Sequence, residues 1–344
     1  MKDEPEIIDL RRKENIVDWK KYKIDLSNPV APPEPLIIQT DSEIPMLHRR
    51  NISTIAASAK VGKTFLISAI ATAALYKDSF INLHCPKEGV KVLFADTEQD
   101  ESDTQVVTRR IHRLNDWNTD LDNDSFIALN LRDPNREQRI STIEAAICEI
   151  KPDLVLLDGI VDLVGDFNNI QESHEAVETL TRWATRYNCH IVTCLHVNKG
   201  TAELRGHLGA FLRQKGELTL LLTKQEGIVP YIEVKPIDSR HRQIDDFCFR
   251  INVEGLPELY IPEPKEPKNE KLSDLFAKIL PLPNSMSYAN LKRKVVELSN
   301  IKDSMAEKKI RQAMDKEIII KNKAGFYHLP VKNIEQDEMP FETQ

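Results

Sequence analysis

Three short stretches hold residues whose types and spacing suit work on a phosphate ester. The run ASAKVGKT (Ala57, Ser58, Ala59, Lys60, Val61, Gly62, Lys63, Thr64) fits the phosphate-loop pattern, with Ala57 where glycine is usual. Such a loop gathers backbone N–H groups around phosphate oxygens and feeds into a helix N-terminus, whose dipole favours the anion. Gly62 permits close backbone approach, Lys63 is expected to reach the β and γ phosphates, and the Thr64 hydroxyl to ligate Mg²⁺. Asp158 closes the apolar run DLVLLD. At the C-terminal edge of a sheet it would stand beside the loop as a second Mg²⁺ ligand, in the Walker B position. ATP and Mg²⁺ are therefore the expected ligands.

Hydrolysis also needs a group that polarises the attacking water. In many ATPases a glutamate directly follows the Walker B aspartate, but here Gly159 does. VLFADTEQD supplies the alternative: Glu98, just after the strand that follows the phosphate-loop helix, with Asp96 as its nearest rival. Two residues beyond the strand end, Glu98 reaches further over the cleft.

These groups require a parallel sheet to hold them, and the chain carries its pattern. NISTIAAS is a short β-rich run, and the helix expected over Phe65 to Tyr76 is apolar on nearly all sides, hence buried. VKVLFAD, FIALN, DLVLLD and HIVTCLH are short apolar strands of the kind covered on both faces. Between them, Ile140, Ile143, Ile147 and Ile150, then Val177, Leu180, Ala184 and Tyr187, mark helices. Strands separated by helices mean βαβ units. LTLLL, YIEVK and CFRIN follow at hairpin spacing and would extend the sheet in antiparallel fashion.

The pattern divides the chain into an arm or linker (1–45), an α/β ATPase domain (46–261), a linker PEPKEPKNE (262–270), a small domain (271–330) and an acidic tail (331–344). Pro29, Pro32, Pro33 and Pro35 lie in the arm, with one short helix predicted around Asn15 to Lys23. The small domain shows three helical stripes: Leu272, Leu275, Phe276, Ile279 and Leu280; Tyr288, Leu291, Val295 and Leu298; Ala306, Ile310 and Met314. EIIIKNKAGFYHL then offers two strands about a turn, and three short helices with a hairpin is the order of a winged helix.

Residues 271–330 carry 12 Lys+Arg against 6 Asp+Glu, a local +6 that leaves −13 for the rest of a chain whose total is −7. A basic module on an acidic body points to a polyanionic or protein partner. On the third helix Lys308, Lys309, Gln312 and Lys316 would face outward with Arg311 nearby, a surface suited to duplex DNA or to docking a protein. The five cysteines form no CxxC pair, so neither a disulfide nor a cysteine metal framework is expected. No apolar run approaches the ~20 residues of a membrane span, and the first residues lack a signal-peptide core. A cytoplasmic protein without a membrane partner is expected.

The ordered motifs over roughly Ile44 to Pro257 resemble RecA and the DnaB-like hexameric helicases, and HVNKG after the fourth strand resembles the plasmid RepA group. The resemblance implies a RecA-like core with a C-terminal winged helix. It also implies a γ-phosphate sensor at His196, which as a residue could equally be a satisfied strand-end polar group. A DNA-contacting segment would follow the sensor, where Lys199, Arg205, Arg213 and Lys215 face one Glu203; a solvated loop is the other reading. Lys235 and Arg240, between the late strands, would enter the neighbouring subunit's site, unless that hairpin is merely solvated. The expected function is an oligomeric ATP-driven DNA helicase or translocase, a ring of six, with single-stranded DNA at the motor. It would serve replication or mobilisation of a plasmid-like element. A regulatory ATPase switch that binds DNA or protein without unwinding is the alternative, and a metabolic phosphate-loop kinase a weaker third.

Overall fold

The apolar runs become the inner strands of a nine-stranded sheet in the computed structural model, which describes residues 18–76, 78–198, 200–226, 229–262, 268–281, 283–299 and 301–330. Two compact units divide the chain, Met1–Ile261 and Pro262–Gln344.

The first unit begins with β1 (Pro35–Gln39), β2 (Ile44–His48) and β3 (Ile52–Ala57), then α1 (Lys63–Leu75), β4 (Leu83–His84), β5 (Val92–Asp96) and α2 (Glu101–Leu114). It continues through β6 (Phe126–Asn130), α3 (Arg136–Ile150), β7 (Leu154–Asp158), α4 (Ile170–Tyr187), β8 (His190–His196) and α5 (Gly206–Lys215). Strands β9 (Leu218–Gln225), β10 (Tyr231–Ser239), β11 (Phe247–Ile251) and β12 (Pro257–Leu259) close it. The large sheet has the order β12-β11-β10-β9-β3-β8-β7-β5-β6. It is parallel from β9 to β6 and antiparallel from β9 to β12. A large, mostly parallel sheet with helices fits the core that the phosphate-loop pattern predicts.

Continuous apolar runs are needed because both faces are covered. On one face Phe94 and Leu156 pack in a cluster with Leu66 and Ile70 of α1 and Val107 and Ile111 of α2. Their strand neighbours Leu93, Val155 and Leu157 point the other way, into a cluster with Ile147 of α3, Trp183 of α4 and Leu212 of α5. Burying each such side chain stabilises the fold by roughly 1.5–3 kcal/mol.

The arm is shorter than its prolines suggest. Strand β1 lies within 1–45 and forms a small antiparallel sheet, β2-β1-β4, with Leu36 and Ile37 fully buried. Pro35 is its first residue, where a strand tolerates the missing N–H. The predicted short helix is a 3-10 turn, Trp19–Tyr22; residues 1–17 and 331–344 lie outside the described residues.

The second unit contains α6 (Lys268–Ile279), α7 (Tyr288–Ser299), α8 (Asp303–Asp315) and a hairpin of β13 (Ile320–Lys321) with β14 (Tyr327–His328). Phe276, Ile279, Leu291, Val295, Ala306 and Ile310 share its core. Three stripe positions differ from the sequence reading: Tyr288, Leu298 and Met314 are exposed, and Ala313 is buried instead. The chain folds back at Ala313, whose carbonyl accepts from the N–H groups of Ile318 and Ile319, and its side chain joins the core of the unit. Among the described residues, no helix is long and apolar enough to cross a membrane.

Candidate active site

Strand β3 delivers the chain to the carboxyl edge of the sheet, where the loop turns into α1. Ala57 is the strand's last residue, paired on its two sides with His196 and Leu222, and fully buried. Its backbone is not left-handed, so glycine is not required there. Lys60 (φ +62°) does hold left-handed backbone, at about 1 kcal/mol. Gly62 (φ +119°) is the N-cap of α1, and a Cβ there would meet Ile232 Cδ1 at 2.9 Å. No side chain caps this helix. The first-turn N–H donors of a helix start in a cavity need an acceptor, which an anion supplies.

A cavity of about 740 Å³ opens above the loop. Ala59, Lys60, Val61, Gly62, Lys63 and Thr64 line it, together with Glu98, Asp158 and His196; Ala57 and Ser58 stand outside the lining. The Thr64 hydroxyl donates to Asp158 Oδ2 at 2.8 Å. That pair, a hydroxyl beside a carboxylate that is 3% exposed, offers the hard oxygens that suit Mg²⁺. Burial pushes the Asp158 carboxyl above the usual aspartate range, opposed by the Thr64 hydrogen bond. Lys63 Nζ lies 3.4 Å from His196 Nδ1. Burial and then the Lys63 charge lower the His196 pKa. An ammonium only donates, so Nδ1 is the acceptor of that contact.

Asp96 and Glu98 are sharply different in their surroundings. Asp96 is fully buried, and its carboxylate accepts from the N–H groups of Glu98 and Gln99, the Gln99 amide (2.8 Å) and the Thr104 hydroxyl (2.9 Å). Its lone pairs are spent on holding the turn. Glu98 stands at the cavity lip, exposed by surface area yet crowded by protein around its carboxyl group. Desolvation raises its pKa, the Asp158 charge adds to that, and Lys63 opposes it.

Gly159, the residue where many ATPases carry their glutamate, cannot hold a side chain. Its φ is +102°, and a Cβ would lie 2.3 Å from Thr97 Oγ1 and 2.7 Å from Glu98 Cγ. Thr97 Oγ1 in turn lies 3.1 Å and 2.9 Å from the Asp158 and Gly159 carbonyls. Replacing Gly159 with alanine should therefore cost on the order of 3 kcal/mol, from left-handed strain plus overpacking. Urea unfolding reads this directly, and a wild-type midpoint in G159A would sink it.

The outer wall holds groups that the motifs did not reveal. The Arg110 guanidinium stacks over the Phe65 ring at 4.0 Å and donates to Ser68 Oγ at 3.3 Å. Lys224, Tyr231, Ile232 and Arg250 come from the antiparallel strands. Phe65 follows Thr64 directly, an aromatic at the mouth of the loop, and was the one available signal; Arg110 reaches it from another helix.

The remaining candidates are scattered. Lys235 on β10 pairs with Glu233 of the same strand (3.1 Å) and with Asp246, just before β11 (3.8 Å). Arg240 follows β10, whose last residue Ser239 pairs with Leu218, itself opposite Ser53 at the far end of β3. It is thus separated from its own cavity by about 13 Å of strand. Both lie outside the cavity of their own chain.

The segment after His196 is a helix rather than an open loop from Gly206 onward: α5 buries Leu208 and Leu212 and packs in one cluster with α4. Arg205 lies over the Phe167 ring at 4.2 Å, and Arg213 makes a bidentate pair with Asp238 (2.7 and 3.0 Å). Lys215 lines a separate cleft with Arg182 and Arg186. Residues 213 and 215 point about 200° apart around a helix, so the basic set does not share one face. Lys199 lies outside the described residues. In the second unit Lys308, Arg311 and Lys316 are exposed and Lys309 is half-buried, with Lys308 and Arg311 lining one cleft of about 770 Å³.

The sequence signature of the AAA_25 family, an AAA domain, matches residues 23–202. That span takes in the phosphate loop, Glu98, Asp158 and His196 and ends before α5. No curated protein matches the chain.

Proposed function

The chain belongs to the AAA domain family AAA_25 and is an ATPase of the phosphate-loop type, and from that premise we propose that it is an oligomeric, ATP-driven DNA helicase or translocase of the RepA/DnaB-like kind. It would work as a ring, on a plasmid-like or mobile element. The observation that carries this reading is the placement of the acidic groups. Asp158 ends β7, Glu98 follows the adjacent β5, and Gly159 has no room for a side chain. Catalytic carboxylates on neighbouring strands are the arrangement by which the sequence resembles the RecA and DnaB side.

In this reading the uncapped start of α1 and Lys63 bind the phosphates, and Thr64 and Asp158 hold Mg²⁺. Bound Mg²⁺ supplies charge neutralisation on the β and γ phosphates. Glu98 orients and deprotonates the water, and His196, held against Lys63, responds to the γ-phosphate. Arg205 N–H donates to the His196 carbonyl at 3.1 Å, which couples that response to α5. The second unit acts as a winged helix, with Lys308 and Arg311 toward duplex DNA or a protein partner.

A regulatory switch that binds DNA or protein without unwinding is the second reading. The engagement of Arg205 and Arg213 within the fold favours it, because those cations are not free for phosphates. ATP turnover separates the two. For the motor, single-stranded DNA stimulates turnover, Lys63→Ala abolishes it, and the solution mass rises with ATP. DNA-indifferent turnover by a monomer would sink the motor and leave the switch.

A further inference from the structure

At the end of the sheet away from the phosphate loop, imidazoles from three elements converge on one buried carboxylate. Glu217, between α5 and β9, is 3% exposed. Its carboxylate accepts from the His48 backbone N–H at 3.2 Å and is in direct contact with His48 Nδ1. His241 Nε2 stands 3.5 Å away and His190 Nδ1 3.7 Å away. A carboxylate this deep requires a compensating cation. His190 does not supply it: its Nδ1–H donates to the His48 carbonyl at 2.6 Å, and its Nε2 meets Ser53 Oγ at 3.0 Å.

The other three donors have the size of a coordination sphere. His48 Nδ1, a Glu217 oxygen and His241 Nε2 lie within 4.8 Å of one another. Metal–ligand bonds of about 2.0–2.2 Å set donors roughly 3–4 Å apart, a spacing that His241 Nε2 already holds against Glu217 and that His48 Nδ1, in direct contact with the carboxylate, reaches when an ion separates the two. We propose that His48, Glu217 and His241 form a binding site for a divalent transition-metal ion of the zinc type, with a fourth position open to water on the side of the exposed His241.

Two imidazoles and a carboxylate select Zn²⁺-like ions over Mg²⁺ or Ca²⁺, which take oxygen ligands. Behind the donors, His190 holds the His48 carbonyl and so orients that ligand from outside the coordination sphere. Backbone geometry already fixes the loop partner: Arg240 N–H donates to the Glu217 carbonyl at 2.9 Å, setting His241 against the carboxylate. A metal here would pin the end of β2, the start of β9 and the loop after β10 together. Arg240 is next to His241, so the ion would hold the cation proposed to act on a neighbouring subunit; that consequence alone rests on the functional reading above.

The test uses tag-free full-length protein, stripped with a chelator and dialysed. Calorimetry with ZnCl₂ and visible absorption with CoCl₂ should report one ion per chain and the d–d bands of a low-coordinate N/O site. His241→Ala, an exposed position that should not disturb folding, should weaken binding at least about tenfold. Arg242→Ala in the same loop should leave it unchanged. Zn²⁺ should also slow tryptic cleavage after Arg240 and Arg242 in the wild type and not in H241A. Absence of stoichiometric binding, or equal binding by the wild type and H241A, overturns the site, and neither readout depends on ATP turnover.

Discussion

Glu98→Gln is expected to lower ATP turnover by about 10²-fold or more while nucleotide still binds. The argument is one of availability. Of the two acidic residues at the end of β5, Asp96 is saturated by four hydrogen bonds from Glu98, Gln99 and Thr104, and Glu98 alone lines the cavity. A base must be ionised, and desolvation with the Asp158 charge raises the Glu98 pKa. Turnover should therefore fall on the acid side at a pH above the ordinary glutamate range, and this limb should vanish in E98Q. The stability effect has the opposite sense. A carboxyl whose folded pKa is raised binds its proton more tightly in the folded state, so it destabilises progressively as pH rises through the unfolded value. The ligand-free E98Q protein should thus unfold at a temperature no lower than wild type at neutral pH, with any gap closing toward acid. Turnover within threefold of wild type in E98Q would remove Glu98 from the base role.

Much of this site was legible because its parts are local patterns. Phosphate loop, strand-end Asp158 and strand-end His196 each follow from a run of ten residues or fewer, and a parallel sheet necessarily brings strand ends to one edge. Gly159 was legible as a departure, and the physical reason came only with the fold: its Cβ would strike Thr97, a residue more than sixty positions earlier. Arg110 on Phe65, and His48 with Glu217 and His241, depend wholly on such distant pairings, so no periodicity announces them. Strand β1 was hidden for another reason. Prolines signal linkers, yet Pro35 occupies the one strand position that forgives it. The basic run 205–215 shows the same limit: its charge was visible in the composition, but the partners Asp238 and Phe167 were not.

Arg240→Ala is expected to reduce turnover by about 10³-fold with ATP binding intact, and the loss should be repairable by a second inactive protein. Arg240 belongs to the far end of its own sheet, so within one chain it has no route to the phosphates it would serve. Lys235 is the weaker candidate. Its hydrogen bond to Glu233, with Asp246 near, raises its pKa and ties up its charge. If a head-to-tail interface carries Arg240 into the next subunit, an R240A chain keeps an intact phosphate loop and a K63A chain keeps an intact Arg240. Neither works alone. Mixed in equal amounts, the two should regain up to about one quarter of wild-type turnover, since a random ring sets half of the intact loops beside an intact Arg240. A role within the same chain predicts no recovery, because every subunit would then lack one of the two groups. A mixture no more active than its parents, at concentrations where the wild type assembles, would therefore end the trans-acting role of Arg240 even if R240A alone is inactive.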